Sequence, residues 1–156
     1  MKKILIIIAL VLPIIYLASC TEDPIKPVDE QVIEFVSKTD SVTQISGLLE
    51  SKAEIKNISE HQVVVKVKME IIKLTPGHNP LVCIGGSCYP PSTVDKLYPG
   101  EIILTPQQVS SKTHFFAELD PGGEPGTTLI RYKFIPDGDT TKAISYITKY
   151  QVVSGL

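Results

Sequence analysis

Few residues in this sequence carry distinctive chemistry: there are three cysteines and three histidines in 156 residues. Cys83 and Cys88 are separated by four residues that include Gly85 and Gly86. Two thiols at this spacing could form a disulfide, a redox pair or half of a metal site. Redox thiols favour C-x-x-C and structural zinc takes four ligands, so the spacing gives the last two chemistries little support.

Among metals, copper is the one whose usual protein ligands are most nearly all present in the sequence. His61, His78, His114 and Met69 would supply, together with a cysteine, the ligand types of a blue-copper site. Blue-copper proteins group these ligands on one loop near the C terminus, whereas no Cys, His or Met follows His114. We therefore predict no metal or cofactor, and we keep a cupredoxin-like metal-binding or electron-transfer domain as the alternative.

Motifs for catalysis are missing from the sequence. It contains no G-x-S-x-G, no G-x-x-x-x-G-K-[ST] and no G-x-G-x-x-G. Its close carboxylates, Glu22 with Asp23 and Asp137 with Asp139, lie in sequence typical of a linker and of a turn, where solvation explains them. We predict a protein that is not an enzyme.

The charge balance bears on the class of partner. Lys and Arg total 15 against 17 for Asp and Glu, which gives a net charge of -2. Such a chain has no general basic character for nucleic acid. We predict no nucleic-acid partner.

The N terminus has the pattern of an export signal. Lys2 and Lys3 precede an apolar run over 4–18, which is too short to span a bilayer comfortably. The run ends in Leu17-Ala18-Ser19-Cys20, which resembles the lipobox of bacterial lipoproteins. The resemblance implies cleavage before Cys20 and attachment of diacylglycerol to its thiol, with further acyl chains such as palmitate holding the protein on the membrane.

The residues after Cys20 indicate a linker. Residues 21–30, TEDPIKPVDE, contain two prolines and four acidic residues, which favours an extended, solvated tether. We divide the chain into a signal peptide (1–19), a lipidated cysteine with a flexible tether (20–30) and one domain (31–156). The predicted location is the cell envelope, on the outer membrane, facing either the periplasm or the cell surface.

Once Cys20 carries lipid, Cys83 and Cys88 remain as an even pair in a compartment that permits disulfides. Gly85 and Gly86 allow the chain between them to reverse sharply. We predict a disulfide that stiffens a long loop over 74–93 and adds little to global stability, because the ring is small.

The remaining sequence is typical of a β domain, with 12 prolines, 10 glycines and no tryptophan. In the segment 61–73, Val63, Val65, Val67, Met69 and Ile71 alternate with mostly polar residues, which predicts a strand with one buried face. We also expect Phe115, Phe116 and Leu119 in the core. The predicted strands number about seven: 31–37, 42–57, 61–73, 101–105, 113–119, 127–135 and 142–153.

Three segments carry a further resemblance: L-x-P-G-E at 97–101, F-x-A-x-L-x-P-x-G at 115–123 and G-T-x-x-I-R-Y-x-F at 126–134. They resemble the immunoglobulin-like β-sandwich domains of secreted and lipid-anchored Bacteroidetes proteins. The resemblance implies an all-β antiparallel sandwich in the cell envelope and implies no activity. Multidomain members add a C-terminal sorting domain; we expect none within these 156 residues, so the lipid is the expected attachment.

We therefore predict a non-catalytic, membrane-anchored lipoprotein that binds or scaffolds through an immunoglobulin-like domain. The expected partners are the membrane, through the lipid, and a protein or a glycan. The loops 74–93 and 120–126 are the expected places for binding, because sandwiches present loops at both ends of a rigid scaffold.

Overall fold

The computed structural model describes residues 30–91 and 97–155. The predicted signal peptide, Cys20 and nearly all of the tether lie outside these residues. Within the described segments, no helix is long and apolar enough to cross a membrane. The strands are β1 Ile33–Lys38, β2 Ser41–Gln44, β3 Leu49–Asn57, β4 Val63–Lys73, β5 Asn79–Ile84, β6 Ser87–Tyr89, β7 Glu101–Leu104, β8 Phe115–Asp120, β9 Gly126–Pro136 and β10 Ile144–Val152.

The strands form two sheets of five. The first sheet has the order β1-β3-β8-β5-β6, and the second has the order β2-β10-β9-β4-β7. The chain changes sheet repeatedly, for example from β3 to β4 and from β8 to β9, so that the inner faces of the two sheets close over one core. This two-layer arrangement is the all-β sandwich that the sequence predicts.

The N-terminal strand region supplies an edge to each sheet. A bulge between Phe35 and Ser37 leaves Val36 exposed and bends the chain, as bulges do. The chain then continues in the same direction as β2 and lies parallel to β10. The antiparallel sandwich that the sequence predicts therefore includes this parallel pair, because one bent segment joins both sheets.

The core is built from the alternating faces of the long strands. Val63, Val65 and Val67 are fully buried, as predicted, whereas Met69 is half-buried and Ile71 is 39% exposed. The burial ends there because β4 has reached the end of the sandwich, next to a bulge between Ile71 and Lys73. The apolar alternation therefore overstates the buried length of β4.

A polar network crosses the core between the sheets. The Ser51 hydroxyl on β3 lies 2.6 Å from the Tyr150 hydroxyl on β10, which lies 2.8 Å from the Tyr132 hydroxyl on β9. All three residues are fully buried. Hydroxyl partners satisfy these groups where water cannot reach them, so the network links the two layers.

Three details of the predicted elements are wrong. The predicted strand 42–57 is two strands, because the chain bends at 45–47, where Gly47 has a φ of 87°. The predicted loop 74–93 contains β5 and β6. Phe115 and Leu119 are buried as predicted, but Phe116 is half-buried on the outer face, since neighbouring residues of a strand point to opposite faces.

Candidate functional site

The strand directions place the connections at two ends of the sandwich. The end where the chain enters, here called the N-terminal end, contains Glu30 and the connections 58–62, 105–114 and 137–143. The opposite end, here called the distal end, contains the connections 45–48, 74–78 and 121–125 and the last described residues, 153–155. The predicted binding loop 120–126 therefore lies at the distal end.

A cleft of about 440 Å³ opens at the distal end between two of these connections. We call it the distal cleft. Ile45 and Leu48 stand at its rim and are 65% and 56% exposed, the two highest values among the large hydrophobic side chains of the described residues. Its lining consists of Ile45, Ser46, Gly47, Leu48, Asp120, Pro121, Gly123 and Val152.

One wall of the distal cleft is held in place by a buried histidine. His78 is 3% exposed; its Nδ1 lies 2.9 Å from Thr128 Oγ1 and its Nε2 lies 2.8 Å from the Glu124 carbonyl oxygen. Because a carbonyl only accepts, Nε2 carries the proton. Thr75 reinforces the contact by donating its hydroxyl to the Thr127 carbonyl. His78 therefore joins the connections 74–78 and 121–125.

These two connections also approach each other through their backbones. A Cβ on Gly122 would lie 2.7 Å from the Gly77 carbonyl oxygen, and Gly122 has a φ of 57°. Only glycine fits so close a contact without displacement. The Asp120 carboxylate accepts a hydrogen bond from the Gly122 amide at 2.9 Å. This wall is therefore rigid, as a binding surface on loops requires.

The N-terminal end carries a second, polar depression. It has a volume of about 500 Å³ and lies between residues 30–32, residues 58–61 and Lys142. His61 lies at its rim, with Nε2 3.8 Å from an Asp137 carboxylate oxygen and most of its side chain exposed. The depression includes Glu30, the first described residue, so a macromolecular partner would have to fit beside the chain that precedes it.

The structure contains the disulfide between Cys83 and Cys88. The two cysteines face each other in the antiparallel pair β5–β6, and Gly85 and Gly86 form the turn with φ values of 57° and 87°. Positive φ at both positions is typical of a type I′ hairpin turn. The disulfide thus clamps the β5–β6 hairpin at the edge of the first sheet. Neither cysteine lines the distal cleft.

The ionisable groups form no metal-binding cluster in the part of the chain that is described. No three His, Cys, Asp or Glu residues come together there. His78 uses both ring nitrogens inside the fold, and His114 Nδ1 accepts a hydrogen bond from the Ser111 amide. Burial opposes ionisation of Glu70, but hydrogen bonds from Arg131 and Lys68 outweigh it and lower the pKa of Glu70.

The strongest pKa changes belong to the tyrosines in the core. Burial raises the pKa of Tyr132 well above its ordinary value, and neighbouring Tyr150 adds to the effect. Burial also raises the pKa values of Tyr146 and Tyr150. A buried phenol that ionises less readily is no base at neutral pH, so these groups are structural.

The arrangement of strands is shared with solved structures of very different sequence. A secreted serine protease, VesC from Vibrio cholerae, aligns with a TM-score of 0.50 and 6% identity over 79% of this chain and 23% of that one. The fold is an immunoglobulin-like sandwich. Because this chain spans less than a quarter of VesC, the likeness concerns the fold alone.

Two further solved structures align with lower TM-scores. The PapD-like domain 7 of human CEP192 gives a TM-score of 0.47 with 13% identity, over 85% of this chain and 94% of that one. The N-terminal domain of PorA gives 0.45 with 14% identity, over 80% and 98%. No family model matches this sequence, and no curated protein matches it.

The rim of the distal cleft was missed by the sequence analysis. Ile45 and Leu48 lie within a segment that was assigned to one continuous strand, in which aliphatic residues look like core. The signal that could have separated them is Gly47, which breaks a strand pattern and marks a bend. The other side of the cleft was expected, since Pro121 and Gly123 belong to the predicted loop 120–126.

Proposed function

We propose that this protein is a non-catalytic lipoprotein of the cell envelope, anchored to the outer membrane through Cys20, which binds a partner at the distal cleft. The observation that carries the binding proposal is the exposure of Ile45 and Leu48 beside a cleft with a rigid wall. Exposed aliphatic side chains around a concavity are typical of interaction sites. The aliphatic rim favours a protein partner over a glycan.

The position of the tether supports this orientation. The chain enters at Glu30, and β4, which runs from the N-terminal end to the distal end, has 11 residues. At about 3.3 Å per residue, the distal cleft lies roughly 35 Å beyond the tether end. A lipid on Cys20 would therefore hold the distal cleft away from the membrane and open to a partner.

The alternative of a cupredoxin-like copper protein gains no support from any observed contact. A blue-copper site needs a cysteine thiolate as ligand, and both Cys83 and Cys88 are engaged in a disulfide. We therefore favour binding over electron transfer.

The anchor is tested by growing cells with radiolabelled palmitate. We expect label in the wild-type protein and none in Cys20→Ser, and the variant should leave the membrane fraction. Protease shaving of intact cells, with a periplasmic protein as control, then separates a surface location from a periplasmic one. Unlabelled wild-type protein would overturn the lipoprotein proposal.

The binding site is tested by a photo-crosslinking amino acid at position 48 in living cells. We expect a discrete adduct that is lost when Ile45→Asp is added. The matched control is the same crosslinker at Val109, which is 41% exposed at the N-terminal end. Equal adducts from both positions, or none from position 48, would contradict a site at the distal cleft.

A further inference from the structure

The outer face of the second sheet is basic. Its outward-pointing side chains on β4, β7, β9 and β10 include six basic residues and two acidic ones, a net charge of +4. Such a surface is unexpected on a chain with a net charge of -2. The basic face consists of Lys66, Lys68, Lys73, Arg131, Lys133 and Lys149, with Glu70 and Glu101 as its acids.

The outer face of the first sheet is acidic. Its strands point five acidic side chains and two basic ones outward, a net charge of -3. Lys112, from the connection before β8, adds one positive charge beside Glu54 at the edge. The acidic face consists of Glu34, Glu50, Glu54, Glu118 and Asp120, with Lys52 and Lys56 as its basic residues.

Each face contains two like charges directly opposite each other on paired strands. Glu50 on β3 faces Glu118 on β8, and Lys68 on β4 faces Lys133 on β9. Such pairs are unfavourable in an isolated sheet. Lys68 also reaches Glu70 at 3.4 Å and Glu50 pairs with Lys52, so each face contains a pair of opposite charges beside its pair of like charges.

We propose that the acidic face of one copy docks on the basic face of a second copy of this chain. The charges of the two faces are opposite and similar in number, and the Glu50–Glu118 pair would then meet lysines of the second copy. Each face also exposes an apolar side chain, Leu81 on the first sheet and Ile147 on the second, which docking would cover. Two different faces meet, so the contact is heterologous and can repeat from copy to copy.

The size of the faces makes this a weak contact in dilute solution. Five strands about 4.8 Å apart and roughly six residues long span about 500 Å², which is less than the ~800 Å² per partner of a standard interface. The faces lie on the sides of the sandwich, so side-by-side docking leaves the distal cleft open. The contact requires neither the lipid nor the cleft, although anchoring would raise the local concentration.

The test uses the domain from Glu30 onward, which contains the core cluster between the two sheets. Sedimentation velocity is measured over a wide concentration range at ionic strengths of about 20 mM and about 500 mM, where screening differs strongly. We expect oligomers that grow with concentration at low salt and are lost at high salt. A domain that stays monomeric under all these conditions would overturn the proposal.

Charge reversal identifies the two faces. Lys133→Glu with Lys149→Glu reduces the net charge of the basic face from +4 to 0, and Glu50→Lys with Glu118→Lys changes the net charge of the acidic face from -3 to +1. We expect each variant alone to be monomeric and their equimolar mixture to associate. The control Glu30→Lys with Glu60→Lys changes the net charge as the second variant does, but at the N-terminal end, and should associate like the wild type.

The mixture keeps the test decisive. Melting curves by circular dichroism establish that each variant is folded, and association of the mixture requires both partners to be so. If the mixture remains monomeric, or if each variant alone associates like the wild type, docking between these two faces is wrong.

Discussion

At the scale of single residues, the hydroxyl of Tyr150 makes two hydrogen bonds in the core that a substitution would remove. It is the shared partner of Ser51 and Tyr132 in the core, whereas the buried hydroxyl of Tyr146 has no hydrogen-bond partner among the described residues. Removing a shared partner leaves two buried polar groups without a hydrogen bond. Removing an unpaired buried hydroxyl instead removes the free-energy cost of burying it without a partner. The two tyrosines form a matched pair for mutation.

We expect Tyr150→Phe to lower the free energy of unfolding by about 1–3 kcal/mol, the usual cost of unsatisfied buried groups. Tyr146→Phe should be neutral or slightly stabilising. Urea denaturation followed by circular dichroism measures both. Equal losses from the two substitutions would contradict the role assigned to the network.

The buried tyrosines also predict a dependence of stability on pH. Burial raises the pKa values of Tyr132, Tyr146 and Tyr150 above the value of about 10 that an unfolded chain has. The stability contributed by the neutral phenols is therefore fully present below about pH 10 and is lost as the pH rises further, because only the unfolded chain releases its protons. Acidification should leave this contribution unchanged.

Urea midpoints measured from pH 8 to pH 12 check this expectation. The wild type should decline steeply above about pH 10. Tyr146→Phe should decline less steeply, since it has one buried phenol fewer. A midpoint that is constant to pH 12 would show that the phenols do not control alkaline unfolding.

At the scale of elements, the disulfide belongs to one hairpin and not to the whole sandwich. Cys83 and Cys88 join β5 to β6, and within the described segments β6 pairs with no strand other than β5. The ring contains only the four residues between them, so the disulfide removes little conformational entropy from the unfolded chain. β5 keeps its separate ladder with β8 from Asn79 to Ile84.

We therefore expect Cys83→Ser with Cys88→Ser to stay folded and to lose at most about 2 kcal/mol of unfolding free energy. Hydrogen exchange should accelerate in β6 and the turn at Gly85, and it should change little in β3 and β9. Unfolding of the entire domain in the double variant would refute this assignment. A global stability loss well above that of Tyr150→Phe would do the same.

At the scale of the whole molecule, the two ends have different roles. The described chain begins at Glu30, and the exposed aliphatic side chains Ile45 and Leu48 lie at the opposite end. The two charged faces lie between these ends, on the outer surfaces of the two sheets. The proposed anchor at one end would therefore leave three distinct surfaces accessible.

This geometry predicts different distances of the two ends from the membrane. A fluorophore on Leu48→Cys in the lipidated protein should lie roughly 35 Å farther from an acceptor in the bilayer than one on Glu60→Cys. Energy transfer in liposomes measures the difference. Equal transfer from the two sites would mean that the sandwich lies flat, which would contradict the proposed presentation of the distal cleft.

Much of the fold could be predicted from the sequence where the pattern is local. The alternation in 61–73 predicted β4, and Cys83 with Cys88 predicted their disulfide. β5 was missed because Pro80 argues against a strand. Pro80 is tolerated because β6 pairs only with residues 82–84, so β5 has a free edge at Pro80 and needs no amide there.

The sequence by itself determined the all-β class, the buried face of β4 and the chemistry of the cysteine pair, because strand periodicity and cysteine spacing are properties of neighbouring residues. Only the tertiary structure decided which strands share a sheet. That choice brings 45–48 against 120–123 at the distal cleft and collects acidic residues on one face and basic residues on the other. Neither the distal cleft nor the charged faces can be predicted from local sequence, since their residues come from strands and loops far apart in sequence.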